Sequence, residues 1–190
     1  MYCRTYIKMQ YKDFAEPFQL LRELDQKSRE RSGGLPAYQS KGQGWTGVLF
    51  NIRGNELLAA MSDIVEIVPM ESLTAIPASR PWLLGVMNLR GSLLPVVDLE
   101  GYLFEKNLPG TDLRSRLLVV NYDGYPVGLL VRAVQGMKHY HKDDASVEIP
   151  RLDNELQPYI SGGYERQQAH YAVFDVNKLL VSERFRQIAA

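Results

Sequence analysis

His139 and His141 are the residues whose spacing comes nearest to a metal-ligand pair. Positions i and i+2 of a strand point to one face, so two imidazoles placed this way can reach one ion. No third histidine lies near them, since His170 is remote in sequence, and Lys142, Asp143 and Asp144 follow in a polar stretch. No metal site is expected. The lone Cys3 can form neither an internal disulfide nor a cysteine cluster. The chain carries no phosphate-binding glycine loop and no nucleophile elbow. Asp98 and Asp175 each end an apolar run just before a short helical pattern, where a capping carboxylate is the ordinary occupant. Their expected role is structural. No catalytic residue and no cofactor is expected, so the chain should bind rather than react.

Composition narrows what it binds. Lys and Arg total 22 and Asp and Glu total 22, for a net charge of zero. Nucleic-acid binders usually carry a basic excess, because phosphate contacts supply much of their affinity. A small-barrel nucleic-acid-binding protein is therefore the weaker alternative, and salt-dependent binding to DNA or RNA would favour it. No apolar run approaches the ~20 residues that cross a bilayer, and the segment 1–14 has no signal-peptide core. A cytoplasmic location without direct membrane insertion is expected.

The elements come next. Residues 13–31 carry an apolar stripe at Phe14, Phe18, Leu21 and Leu24, with Pro17 near the first turn and Gly33-Gly34 as the stop. This predicts an N-terminal helix, followed by a Gly, Ser and Pro containing linker to about residue 43. From Trp45 on, short Val, Ile, Leu and Tyr runs alternate with turn residues: 45–52, 56–61, 64–68, 84–89, 92–97, 116–122, 125–131, 133–138, about 159–164 and 168–174. Lengths and spacing predict an all-β sandwich or barrel. Arg53-Gly54 and Asp123-Gly124 mark hairpins.

The runs are also duplicated. With Gly54 set over Gly124, the apolar residues Leu57, Ala59, Met61 and Ile64 fall over Val127, Leu129, Val131 and Val134. Further on, Pro81-Trp82, Gly85 and Asp98 fall over Pro158-Tyr159, Gly162 and Asp175. The offset is 70 in the first block and 77 in the second. The expectation is two similar small barrels sharing one core, with short helices over Leu99–Phe104 and Val176–Val181. The expected division is an extension over 1–43 and a domain over 44–190, whose halves run about 44–105 and 115–182.

The segment Pro81-Trp-Leu-Leu-Gly-Val-Met-Asn-Leu-Arg-Gly-Ser-Leu-Leu-Pro-Val-Val-Asp-Leu99, with Ile64-Val-Glu-Ile67 upstream, Pro126–Val131 and the closing Phe174-Asp-Val-Asn-Lys-Leu-Leu180, resembles the signature of the CheW-like family over about 44–183. The resemblance implies two packed five-stranded SH3-like β-barrels. It also implies a non-catalytic adaptor whose partners are the regulatory domain of a CheA-type histidine kinase and the cytoplasmic tip of a methyl-accepting chemoreceptor. Pro17-Phe-Gln-Leu-Leu21, Ser28–Arg31 and Gly34-Leu-Pro36 lie outside the basic domain. They resemble the extension of the pilus-associated branch, which implies twitching motility, with a flagellar-type coupling protein as the alternative. The helix could dock on its own barrels or on the kinase.

The resemblance maps Ile64, Glu66, Gly85 and Arg90 onto partner-binding positions. Arg90 is read in a tight turn, where its guanidinium offers a bidentate fork, and a Glu66–Arg90 pair across adjacent strands is expected. Gly85 is also expected to permit close backbone approach. Met61 is read as core, and Trp82 and Tyr159 as packing anchors. Arg132 stands where relatives often carry an acid, which reverses a surface charge.

Overall fold

A computed structural model describes residues 44–105, 113–146, 148–166 and 168–187. The expected helix over 13–31, its linker and Cys3 lie outside the described residues. Eleven strands are described: β1 (Trp45–Ile52), β2 (Asn55–Ala60), β3 (Ile64–Pro69), β4 (Leu83–Leu89), β5 (Ser92–Asp98), β6 (Arg116–Tyr122), β7 (Tyr125–Val131), β8 (Ala133–Tyr140), β9 (Ala145–Ser146), β10 (Ile160–Arg166) and β11 (Ala169–Phe174). The helices are α1 (Leu99–Phe104), α2 (Val176–Val181) and α3 (Glu183–Arg186). All ten predicted runs are strands. The two-residue β9 and the single-turn α3 are too short to leave a periodic signal.

The strands form two sheets, in the orders β8-β1-β2-β11-β10-β9 and β3-β6-β7-β5-β4. The repeat explains the match between these orders. β1, β2, β8, β10 and β11 of the first sheet are the mates of β6, β7, β3, β4 and β5 of the second. The sheets do not, however, follow the sequence halves expected at about 44–105 and 115–182. Each half keeps its first hairpin in one sheet and sends its remaining strands to the opposite sheet, β3, β4 and β5 from the first half and β8, β9, β10 and β11 from the second. β3 pairs with β6, and β8 pairs with β1. The second barrel is thus continuous from Ile64 to Val131, set between the two parts of the first. The links that carry β3 and β8 across are short, Met61–Asp63 and the single residue Arg132.

The exchange buries both faces of the hairpins. Val48, Phe50 and Ile52 on β1 join Leu118 and Val120 on β6 in one shared core with Leu57, Val127, Val97 and Phe174. The alternating residues point the other way. Leu49 and Leu58 line the interior of the first barrel, and Leu117 and Val119 that of the second. A strand buried on both faces reads as a continuous apolar run, which is what Val48–Phe50 and Leu117–Val120 show.

The two interiors have diverged in chemistry. The second holds Val68, Met87, Leu94, Val96 and Leu130. In the first, the mates of Met70, Met87 and Leu94 are Tyr140, Tyr164 and Tyr171. Trp45 stacks on Tyr164 at 4.5 Å, and Tyr164 stacks on Tyr140 at 4.8 Å. Gly47 makes room for the Trp45 indole, since a Cβ there would meet it at 2.5 Å. Tyr140 is 2% exposed, and its hydroxyl has no hydrogen-bond partner among the described residues.

Arg132 is no free surface charge. Its Nε and Nη2 donate to Glu100 Oε2 and Oε1 at 2.7 and 2.9 Å. Glu100, on α1, is buried, and the hydrogen bond to it holds the Arg132 guanidinium above its ordinary pKa. The reversed charge is therefore compensated within the fold, pinning α1 to the end of β7. The two aspartates differ as well. Asp175 Oδ1 accepts from the Lys178 N–H at 3.1 Å and caps α2. Asp98 occupies the N-cap position of α1 without a side-chain capping bond, and its carboxylate lies against Gly101.

Gly85 and Gly162 both sit at register shifts, where an extra residue enters the ladder. Only Gly85 has a φ of +144°, and only there would a Cβ run into the Thr74 carbonyl, because Thr74 bridges to Val86. Gly85→Ala should therefore cost about 3 kcal/mol in urea unfolding, whereas Gly162→Ala should change stability by less than about 1 kcal/mol. Arg132→Met, which strands the buried Glu100 carboxylate, should cost about 2–3 kcal/mol by the same measurement. Burial pushes the Tyr140 phenol up to about 12. It therefore keeps its proton in the fold above about pH 10, where the unfolded chain loses it. Its contribution is complete below that pH and is lost as the pH rises toward the folded value. Tyr140→Phe should flatten that alkaline loss in denaturation curves from pH 8 to 11. At pH 7 it should be neutral or stabilising by up to about 1 kcal/mol.

Candidate partner-binding surface

Three hairpins of this fold share one local device. Each loop is two residues long and both residues have positive φ: Arg53 and Gly54, Arg90 and Gly91, Asp123 and Gly124. Such turns match the twist of the flanking strands. Two residues before each loop stands an asparagine. Asn51, Asn88 and Asn121 accept from the N–H of Gly54, Gly91 and Gly124 at 3.0, 2.8 and 2.8 Å. The Asn-x-x-Gly spacing that builds this turn stands at each of these three hairpins, and it is the signal the hairpin reading passed over. It holds Arg90 and Arg53 in the left-handed region, where non-glycine residues are uncommon.

The consequences differ by position. Arg53 lies over the Phe104 ring, 4.8 Å from its centroid, and so packs onto α1. Arg90 instead reaches Glu66, with Nη2 2.9 Å from Oε2. The Arg90 side chain is 77% exposed and that of Glu66 is 23% exposed. The expected pair is thus present, but not between neighbouring strands. β3 and β4 are the two edges of their sheet, and the ion pair runs from the β4–β5 turn to the far edge strand.

A register shift between Ile64 and Glu66 sorts the side chains of β3. The extra residue, Val65, is thrown outward and is 63% exposed, while Ile64 is 5% exposed and belongs to the shared core. Ile64 therefore does not present its side chain to a partner as the resemblance implied. The bulge breaks strict alternation, and Val65 is the apolar residue that reaches solvent beside Glu66. Beyond the Arg90 turn, Leu93 on β5 is also exposed, at 71%. Gly85 is buried under the Thr74–Ala75 segment and contributes backbone shape alone. Of the four candidate residues, the structure brings Glu66 and Arg90 together at the surface, and Val65 and Leu93 are exposed apolar residues on strands of the same sheet.

Several other candidates resolve into packing. Met61 is partly buried against the shared core. Trp82 meets Tyr102 edge-on at 5.2 Å and stacks with Phe185 at 5.9 Å. Tyr159 packs on Phe174 and lies 3.4 Å from the Tyr102 hydroxyl. His139 Nδ1 is 2.9 Å from Thr46 Oγ1 on β1, and His141 lies beyond the end of β8, so the pair does not share a strand face.

The repeat mates of Glu66 and Arg90 are Gly136 and Gln167. The charged pair therefore marks one barrel and not the other. A family model for the CheW-like domain matches residues 46–184. The chain is 37% identical over 182 residues to Protein PilI of Pseudomonas aeruginosa, covering 93% of this chain and 98% of that protein. It is 23% identical over 138 residues to the chemotaxis protein CheW of Bacillus subtilis, covering 72% and 86%. Among solved structures, the scaffolding protein TtCheW from Thermoanaerobacter tengcongensis superposes with a TM-score of 0.60 at 23% identity, covering 70% of this chain and 90% of that one. Paired, strand-exchanged barrels and a family match spanning nearly all the described residues lead to one conclusion: this chain belongs to the CheW-like family.

Proposed function

We propose that this protein is a non-catalytic, cytoplasmic adaptor that couples a chemoreceptor tip to the regulatory domain of a CheA-type histidine kinase, in a chemosensory system controlling type IV pilus twitching motility. The observation that carries the pilus assignment is the extent of the likeness to PilI. It covers more of this chain than residues 44–190 do, so it reaches into the N-terminal extension. The likeness to Bacillus CheW stops at 72% of the chain. Among the described residues no helix is long and apolar enough to cross a membrane.

Recognition is assigned to the surface around Glu66 and Arg90, with Val65 and Leu93 supplying apolar contact. An ion pair as exposed as this one contributes only about 0–1 kcal/mol to folding. Its value lies in presenting a fixed guanidinium and carboxylate to a partner, where charge complementarity sets specificity and association rate. The immediate test is a pull-down of the full chain with the regulatory domains of the host's CheA-type kinases and with receptor-tip fragments. Binding to none of them would sink the reading. Arg90→Glu should weaken that binding about tenfold or more while shifting the melting temperature by less than about 3 °C. Unchanged affinity in this variant would remove Arg90 from the interface.

A further inference from the structure

Gly101 and Lys178 are repeat mates that treat one position of the fold differently. On α2, Lys178 runs back to the start of β10, and its Nζ donates to the Ile160 carbonyl at 2.8 Å. On α1 the position has no side chain, and a Cβ there would meet the Asp98 Oδ2 at 2.5 Å. Gly101 borders a cavity of about 350 Å³, lined among the described residues by Arg80, Trp82, Glu105, Arg184 and Gln187. That volume falls at the lower end of small-ligand sites.

The lining has directional chemistry. Arg184 is held 4.7 Å over the Tyr102 ring, and its Nη2 lies 3.3 Å from Glu105 Oε1. Arg80 has no ion-pair partner among the described residues. The cavity is thus lined by two arginines and one carboxylate, beside the aromatic cluster of Trp82, Tyr102 and Phe185. Glu105 shows that a carboxylate can reach Arg184. The Glu105 side chain is 78% exposed, so its hold is weak and readily displaced. We propose that this cavity binds a carboxylate carried beside an apolar group, which takes the place of Glu105 on Arg184 and adds Arg80 as a second donor. The source is either a free small acid or an acidic side chain on a peptide.

The full chain has two tryptophans, Trp45 and Trp82, so its ¹H–¹⁵N spectrum offers two indole N–H signals, which Trp45→Phe assigns. Glutarate and N-acetyl-Glu-Leu-amide serve as probes. The expected result is a saturable shift of the Trp82 signal. Binding should fall at least tenfold in R80M/R184M and tighten at least threefold in E105Q, which removes the internal competitor. Tighter binding of the dipeptide assigns the site to a peptide, and tighter binding of glutarate assigns it to a free acid. R80M alone, at an exposed position, keeps the test valid if the double variant fails to fold. No saturable shift with either probe, or undiminished binding in R80M, overturns the proposal.

Discussion

Everything in this fold hangs on the shared apolar core between the two barrels. The hairpins β1-β2 and β6-β7 each bury one face in their own barrel and the other against the partner hairpin. Neither barrel could expose that second face to water without losing ~25 cal/mol for every Å² of apolar surface. The exchange of β3 and β8 follows from this geometry. Once the hairpins meet back to back, the short links Met61–Asp63 and Arg132 deliver each third strand to the opposite barrel's open edge. The two barrels are therefore one cooperative unit, stitched by backbone ladders as well as by side chains. The C-terminal turn adds to this through Phe185, which reaches Trp82, Tyr102 and Tyr122.

Duplication within such a unit leaves the copies free to diverge wherever the shared core does not constrain them. Mates facing the shared core stayed apolar on both sides, as Phe50 with Val120 and Leu83 with Ile160 show. Mates facing the separate interiors drifted, so that one barrel is filled with methionine and leucine and the other with tyrosine and tryptophan. The surfaces drifted furthest. Glu66 and Arg90 have no charged counterpart in the other half, and Gly101 stands where Lys178 fills the equivalent position. A pseudo-symmetric scaffold can in this way present different faces to different partners.

The same mechanism produces the candidate recognition surface. A bulge throws Val65 outward while Ile64 stays in the core, and an asparagine-anchored turn holds Arg90 where it can meet Glu66. Rigid backbone features thus aim side chains that are themselves long and exposed. That arrangement suits a coupling surface, because little ordering entropy remains to be spent on the backbone when a partner arrives.

Local chemistry settled much of this protein in advance. Strand lengths, the Arg53-Gly54 and Asp123-Gly124 turns, the positions of α1 and α2, and the existence of two related barrels are all written in period-2 patterns, turn residues and the 70- and 77-residue offsets. These are properties of neighbours along the chain, or of two stretches compared with each other. Which barrel each strand joins is not such a property. Nothing in the sequence of β3 or β8 states that it pairs with the hairpin of the other half, because either hairpin edge offers the same backbone groups. Only the packing of one apolar face on another selects the exchange. The same limit applied to single residues. Ile64 and Val65 look alike in sequence, and only the fold makes one core and the other surface. Arg132 reads as a surface charge until the fold brings Glu100 within 2.7 Å of it from 32 residues away.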